Sequence, residues 1–580
     1  MKREAASHDG HLLPRGALLS GLLRPLLSMP SPGHEAASPS RAQSLGIALL
    51  ICLCALISLR NYDSFQVGVY IDDAEYVILA RSIVQEDSYG LHYAGETPLA
   101  TRYPFGFPLL LSPLAALFPR QPHLMRYVSL FATGANAALL FWGWPYLSRN
   151  RSYGWALMVA ALYALSPLVI RHSRMVMSEP LFTTLVLMGL VLTEWNLQRG
   201  VQRNGPPLFL GVTLTLAAFT RTIGLVVMVA VLVRVTLSTL APRVKLAFLA
   251  RVALGGAALL ILVLALTPVS VHDLIPAEHA GALVRAAGPK QAVTGPSRVT
   301  RLARSFRTYV TEHLRNATSP IGGGISEAAL GHRLGIPNLP LISGIAFGAL
   351  IVIGHGTMLA RHGLAPTAAL YHSFYLVAIL LWPWPLVRFL YPVHPFLVYT
   401  FLLGIGAVAM AFGRAARLSK EARALASRRA VVAVAGLLLI GALVVGATDI
   451  ESSLVHTRDL RVGATWIRDH AAPDAIIMAR HPQALYLYTE RATIDYPAIG
   501  TATELSEAMA LFDVSYLLVA PRLMWQEDGA LVYDILTQES ILPAVDALHA
   551  AGYLELVYES VEDRVQVYGL MEHHPVRLGP

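Results

Sequence analysis

The sequence predicts a polytopic α-helical membrane protein of about eleven transmembrane helices, followed by a soluble α/β domain on the outer face. Three observations carry this expectation. Of the 580 residues, 55% are hydrophobic and 14% are charged, whereas a soluble chain charges about a quarter of its positions. Apolar runs of roughly 17–25 residues, the length that crosses a bilayer, recur up to about residue 448. The charge is also divided. Residues 449–580 hold 8 basic and 20 acidic residues, and the rest of the chain holds 37 basic and 17 acidic. Basic residues in short loops between apolar spans form the positive-inside pattern, so no nucleic-acid partner is expected.

Residues 1–43, rich in Ser, Pro, Gly and Arg, read as a flexible cytoplasmic tail. The transmembrane domain is expected over 44–448. Its first span, 44–59, follows Lys2, Arg3, Arg15, Arg24 and Arg41, which sets the N-terminus in the cytoplasm. Cys52 and Cys54, at i and i+2, point to different helix faces and read as small buried apolar residues. The first outer loop, 60–126, contains YIDDAEYVILARSI (70–83). It also holds FGFPLLLSPLAALF (105–118), which is short for a span and interrupted by Pro108 and Pro113, so it reads as interfacial or re-entrant.

Further spans are expected at 128–146, 155–170, 181–195, 207–220, 223–240, 252–269, 339–360, 366–382, 386–412 and 430–448. The basic stretches 241–251, 361–363 and 413–429 read as cytoplasmic loops. An odd number of spans puts the acidic region 449–580 outside, together with a long loop, 270–338, that carries Gly and Pro clusters and basic residues. In the C-terminal region the β-rich runs AIIMA, ATIDY, VSYLLVA, LELVYES and RVQVYGL alternate with helical stretches such as TELSEAMALF. It has no Gly-rich phosphate loop. The chain shows no internal repeat of the kind that marks many transporters.

Candidate chemistry follows from where the scarce acids fall. Between Thr97 and Val271 the only acids are Glu179 and Glu194. Glu194 reads as a solvated charge at a cytoplasmic helix end. Glu179 sits at the outer end of its span, where an ionisable group against a bilayer is a functional candidate. The outer surface thus collects Asp72, Asp73, Glu75 and Glu179, with Arg81, Arg102, His172, Arg174, Arg221, Arg388 and His394 on the same side. Asp72 shares a helical face with Glu75 and Tyr76. Plain structural roles stand beside these: Asp72 or Asp73 as an N-cap, Glu179 as a helix start before Pro180, Arg102 and Arg388 as snorkelling anchors, and His394 at a proline-flanked break.

Taken in order, DDAEYVILARSI, TRYPFGFPLLLSPL, ALSPLVIRHSRMVMSEPLFTTL, FTRTIGL and RFLYPVHPFL resemble the glycosyltransferase C superfamily. More narrowly the chain is similar to bacterial relatives of the protein O-mannosyltransferases and the lipid A aminoarabinose transferases. The resemblance implies transfer of a sugar from a polyprenyl-phosphate donor to a glycolipid, glycan or protein acceptor outside the membrane, with inversion at the anomeric carbon. It implies that Asp72, with Tyr76 four residues on, is the catalytic acid of the first outer loop, that Asp73 is the second acid, that Glu179 is the acid of the second outer loop, and that Arg102 holds the lipid phosphate.

The expected substrate-binding set is Glu75, Tyr76, Arg102, Tyr103, His172, Arg174, Arg221, Arg388 and His394. Asp-Asp stands where Asp-Glu is common, and TRTIG lacks the usual Pro after Arg, which leaves the donor's identity open. Asp72 and Glu179 could hold a divalent metal ion against the phosphate, or the arginines could do that work without one. The composition, rich in Ala, Arg, Leu and Gly, suggests a bacterial inner membrane with a periplasmic or extracellular C-terminal domain. The alternative is a transporter or flippase of a lipid-linked substrate, which would place polar groups near the bilayer midplane.

Overall fold

The computed structural model describes residues 38–571 except 61–63, 69–70, 87, 95–98, 100, 102, 150–151, 200–204, 271–272, 274–297, 320–333, 337, 363, 383–384, 497–500, 521–523, 526–530 and 533–536. Seven of its helices are long and apolar enough to cross a membrane: Arg41–Leu59, Pro122–Trp142, Ser178–Gln198, Pro242–Leu266, Leu339–Ala360, Val387–Ala415 and Lys420–Val445. The pair Tyr153–Ala164 and Pro167–Ser173, bent by 63°, makes an eighth if it is one span. Shorter apolar helices, Gly205–Thr220, Thr222–Thr236 and Pro366–Leu381, fall on three further expected spans. The chain is a polytopic helical membrane protein.

In chain order the α-helices of five residues or more are α1 (Arg41–Leu59), α2 (Ile71–Gln85), α3 (Gly106–Leu117), α4 (Arg126–Trp142), α5 (Tyr153–Ala164), α6 (Pro167–Ser173), α7 (Ser178–Gln198), α8 (Gly205–Thr220), α9 (Leu225–Thr236), α10 (Pro242–Leu266), α11 (Arg298–Thr308), α12 (Leu314–Thr318), α13 (Leu339–Thr357), α14 (Pro366–Leu381), α15 (His394–Ala415) and α16 (Lys420–His470). Glycines let neighbours approach closely, the usual device where burial of apolar surface gives no driving force between helices. A Cβ on Gly354 of α13 would lie 1.7 Å from Thr400 O of α15, and one on Gly211 of α8 would lie 1.9 Å from Val252 O of α10.

Several sequence expectations need correction. The stretch 241–251 is not a loop but the first turns of α10, opened by Pro242 at its first position, where the missing N–H costs nothing. Lys245 bends back to donate to Thr236 O at 2.7 Å. The basic stretch 413–429 is mostly helical, because α15 runs to Ala415 and α16 starts at Lys420 under a Ser419 cap. Cys52 is exposed on α1, and only Cys54 is buried. Glu194 is not solvated: it is 1% exposed. Arg234 Nε lies 3.0 Å from it, and Thr367, near the start of α14, donates to the same carboxylate oxygen through N–H at 3.0 Å and Oγ1 at 2.5 Å.

Helix α16 continues beyond the bundle to His470, and an α/β unit follows. Strands β1 (Ile476–Ala479), β2 (Thr493–Ile494), β3 (Val514–Val519), β4 (Met524–Trp525), β5 (Leu531–Val532), β6 (Leu554–Ser560) and β7 (Val565–Leu570) alternate with α17 (Pro482–Thr489), α18 (Ala502–Leu511) and α19 (Leu542–Ala550). The five-stranded sheet has the order β2-β1-β3-β7-β6, with β4 and β5 a separate hairpin. Strand β1 pairs parallel with β2 and β3, and β7 pairs antiparallel with β3 and β6. All five runs read from sequence as β-rich lie on strands of this sheet.

The unit is fastened to the segments on either side of α2. Tyr488 Oη of α17 accepts from Val67 N at 3.1 Å and lies 2.9 Å from Val67 O, and its ring stacks on Phe65. Thr493 N donates to Tyr93 O at 2.7 Å.

Candidate active site

A cavity of about 330 Å³ opens where the start of α2, the Arg221 junction between α8 and α9, the end of α14 and the 3₁₀ turn Val387–Val393 converge; Asp72, Tyr76, Tyr103, Arg221, Trp382, Arg388 and Phe389 are among its lining residues. The two adjacent aspartates of α2 part company here. Asp72 faces the cavity. Its Oδ2 lies 2.5 Å from Arg388 Nη1, and its Oδ1 accepts from Tyr103 Oη at 2.6 Å. Asp73 faces inward and is fully buried. Its two oxygens accept from Gly68 N at 3.0 Å and from Ala74 N at 2.9 Å. Burial pushes its carboxyl well above the usual range. The N-cap role expected of this pair thus becomes a clamp: Asp73 ties the turn at Gly68, whose φ is 107°, to the first turn of α2.

The second acid, on α7, is joined to the cavity through Arg221. Glu179 is 1% exposed and lies 2.6 Å from Arg221 Nη1, although neither of its oxygens accepts an aligned hydrogen bond. Arg221 Nη1 also donates to Ser178 Oγ at 2.9 Å, and that hydroxyl lies 3.0 Å from Tyr76 Oη. Burial opposes the charge on Arg221, but the Glu179 carboxylate outweighs it and holds the guanidinium above its usual range. Arg221 and Arg388 both lie over the Phe389 ring, 5.9 and 5.7 Å from its centroid. The cavity therefore has two guanidinia, a carboxylate and an aromatic wall.

Other expected site residues lie outside it. Glu75 is buried and meets Gln483 Nε2 of α17 at 3.4 Å. His172 Nδ1 donates to Leu168 O at 2.7 Å, and its ring packs 5.0 Å from Tyr391. Arg174 donates to Arg60 O at 2.9 Å. His394 is buried against Tyr163, ring centroids 5.7 Å apart. Arg102 lies outside the described residues. Sequence reasoning missed Ser178, the hydroxyl that joins Tyr76 to Arg221, and the aromatic wall of Trp382 and Phe389. Ser178 stands beside Glu179 in MSEP, and that adjacency was its only signal.

The donor set does not fit a divalent ion as it stands. Each carboxylate already faces a guanidinium, and no group of three or more His, Cys, Asp or Glu side chains that could hold a metal occurs among the described residues.

No family model and no curated protein matches the sequence. Solved structures do match. The oligosaccharyltransferase of Archaeoglobus fulgidus, in complex with zinc and sulfate, aligns with a TM-score of 0.50 at 11% identity, over 81% of this chain and 67% of that one. The chain shares the fold of that protein. ArnT from Cupriavidus metallidurans aligns with a TM-score of 0.48 at 13% identity in the apo state, over 91% of this chain and 98% of that one. Bound to undecaprenyl phosphate, it aligns with a TM-score of 0.47 at 12% identity, over 90% and 98%. At these identities the likeness is one of fold, and a shared fold by itself assigns no substrate to this cavity.

Proposed function

We propose that the chain is a membrane glycosyltransferase that moves a hexosyl or pentosyl unit from a polyprenyl-phosphate donor to an extracytoplasmic acceptor, with Asp72 as general base. The observation that carries this reading is the convergence of Asp72, Arg221 and Arg388 on one cavity at one end of the bundle. Two rigidly held guanidinia suit a phosphate leaving group, whose negative charge grows as the sugar–phosphate bond breaks. An acceptor hydroxyl or amine that attacks the anomeric carbon must lose a proton, and Asp72 is the cavity carboxylate placed to take it. Glu179 fixes Arg221, and Tyr103 and Arg388 orient Asp72. A phosphate drawn to Arg388 would compete for the charge that now holds Asp72 and would leave that carboxylate more basic. A cleft at one end of the bundle also favours transfer over transport, which wants polar groups near the midplane.

In this reading eleven helices cross the inner (plasma) membrane, the N-terminus is cytoplasmic, and the α/β unit lies in the periplasm or outside the cell. The domain limits are then 1–43, 44–448 and 449–580. The acceptor is a glycolipid, a glycan or a protein. The test is release of free polyprenyl phosphate from a panel of polyprenyl-phosphate sugars by purified protein, wild type against Asp72→Asn. Release that the variant lacks supports the assignment, and equal release removes Asp72 as the base.

A further inference from the structure

Helix α11 has no part in the cavity, yet its composition is unlike that of any neighbouring helix. Its sequence, RVTRLARSFRT, carries arginines at 298, 301, 304 and 307 and no acid. By helical spacing Val299, Leu302, Ala303 and Phe306 form one apolar face, and the arginines with Thr300, Ser305 and Thr308 cover the rest. A helix this polar does not cross a bilayer, and one this divided is not solvated evenly.

The structure shows which face is used. Ser305 is 5% exposed and seats the helix on the protein, while Leu302 and Phe306 are 42% and 53% exposed. Arg304 and Arg307 are exposed as well. The helix passes into a π turn, Tyr309–His313, and then into α12. His313 Nε2 lies 3.1 Å from Pro385 O, next to the cavity-lining Leu386. The helix therefore leads into the rim of the cavity. The one acid between 298 and 318 is Glu312, on the π turn beyond this face.

We infer that α11 is an interfacial helix that docks on anionic phospholipid. Its Leu302–Phe306 face enters the acyl boundary, and Arg304 and Arg307 bind the headgroups. Charge complementarity selects this occupant: an amphipathic helix whose charged residues are all cationic, on a membrane protein, matches a negatively charged lipid surface. Anionic lipid would thereby gather at the mouth of the cavity. The inference does not depend on the transfer chemistry.

The test uses the full chain with Cys52→Ala and Phe306→Cys, labelled at position 306 with an environment-sensitive fluorophore; Cys54 is buried and spared. The protein is reconstituted in phosphatidylcholine vesicles containing phosphatidylglycerol, with a nitroxide on the acyl chain of one lipid or the other. Stronger quenching by nitroxide phosphatidylglycerol is expected, falling towards parity in Arg304→Gln/Arg307→Gln and in 1 M salt. Near an anionic surface each arginine favours the charged lipid on the order of fivefold, and high salt screens that preference. Equal quenching by the two lipids would mean that the apolar face is inserted without headgroup selection and would overturn the inference. No quenching by either would place the face in water or against protein and would overturn it as well.

Discussion

Asp73→Asn and Asp72→Asn should fail in opposite ways. Asp73 accepts two backbone N–H groups while fully buried. Asparagine offers one oxygen, so one of these donors would face an amide N–H instead. Leaving a buried donor unmatched costs about 1–3 kcal/mol, and alanine, which loses both acceptors, should cost roughly twice that. Asp72 is different: its side chain is 15% exposed, Arg388 is 30% exposed, and both line a cavity open to solvent. Screening leaves little stability in that pair, but a general base is worth on the order of 10²–10⁴ in rate. The assays are the midpoint of thermal unfolding in detergent and the release of polyprenyl phosphate per folded molecule. Asp73→Asn should lower the midpoint and keep release per folded molecule, and Asp72→Asn should keep the midpoint and lose release. An Asp73→Asn protein with an unchanged midpoint and no release would refute the division of labour and return the catalytic role to Asp73.

Three further outcomes are expected. Arg234→Met should destabilise the bundle by about 3–5 kcal/mol, because it strands the Glu194 carboxylate at 2% exposure; adding Glu194→Gln should recover part of that loss in the same melting assay. Tyr488→Phe should cost about 1–3 kcal/mol, since Val67 N–H loses its acceptor, and it should speed proteolysis at 64–68, read by mass spectrometry of the fragments. The raised pKa of the Asp73 carboxyl has a definite sign in stability. The native state keeps a proton that the unfolded state releases near pH 4, so the stability of wild type relative to Asp73→Asn should fall as pH rises from about 4 towards the folded value. A flat difference curve in that window would show that Asp73 is not held protonated.

Seven of the expected spans were legible because one physical demand, covering the hydrocarbon thickness, fixes their length and polarity; the other four fall on shorter or bent apolar helices. The strands of the α/β unit were legible for a similar reason, as β-rich runs bounded by turns. Asp72 and Glu179 stood out because charge is scarce in this chain, and each is found against an arginine. The division between Asp72 and Asp73 was not. Adjacent helical positions point about a quarter-turn apart, and which one meets solvent depends on where Gly68 returns, a matter of packing. The burial of Glu194 was hidden for another reason: its partners are 40 and 173 residues away. The helical character of 241–251 was hidden because basic residues read as loop, although long basic side chains can snorkel from a helix end.

The two glutamates of α7 also explain each other. Glu179 stands at its start and Glu194 near its end, and they meet Arg221 and Arg234, which bracket α9 in the same order. The segment 221–236 therefore runs parallel to α7 and is pinned to it at both ends by a Glu–Arg contact. A slip by one turn would strand two buried charges at once, so the pairs fix register even where each adds little net stability. Their difference lies in exposure. Arg234 is 2% exposed and buried with Glu194, whereas Arg221 is 16% exposed and opens onto the cavity. A pair closed on both sides serves as a lock. A pair closed on one side holds a cation at fixed position with part of its surface free for an anion, and in this bundle that end is also where Asp72 waits.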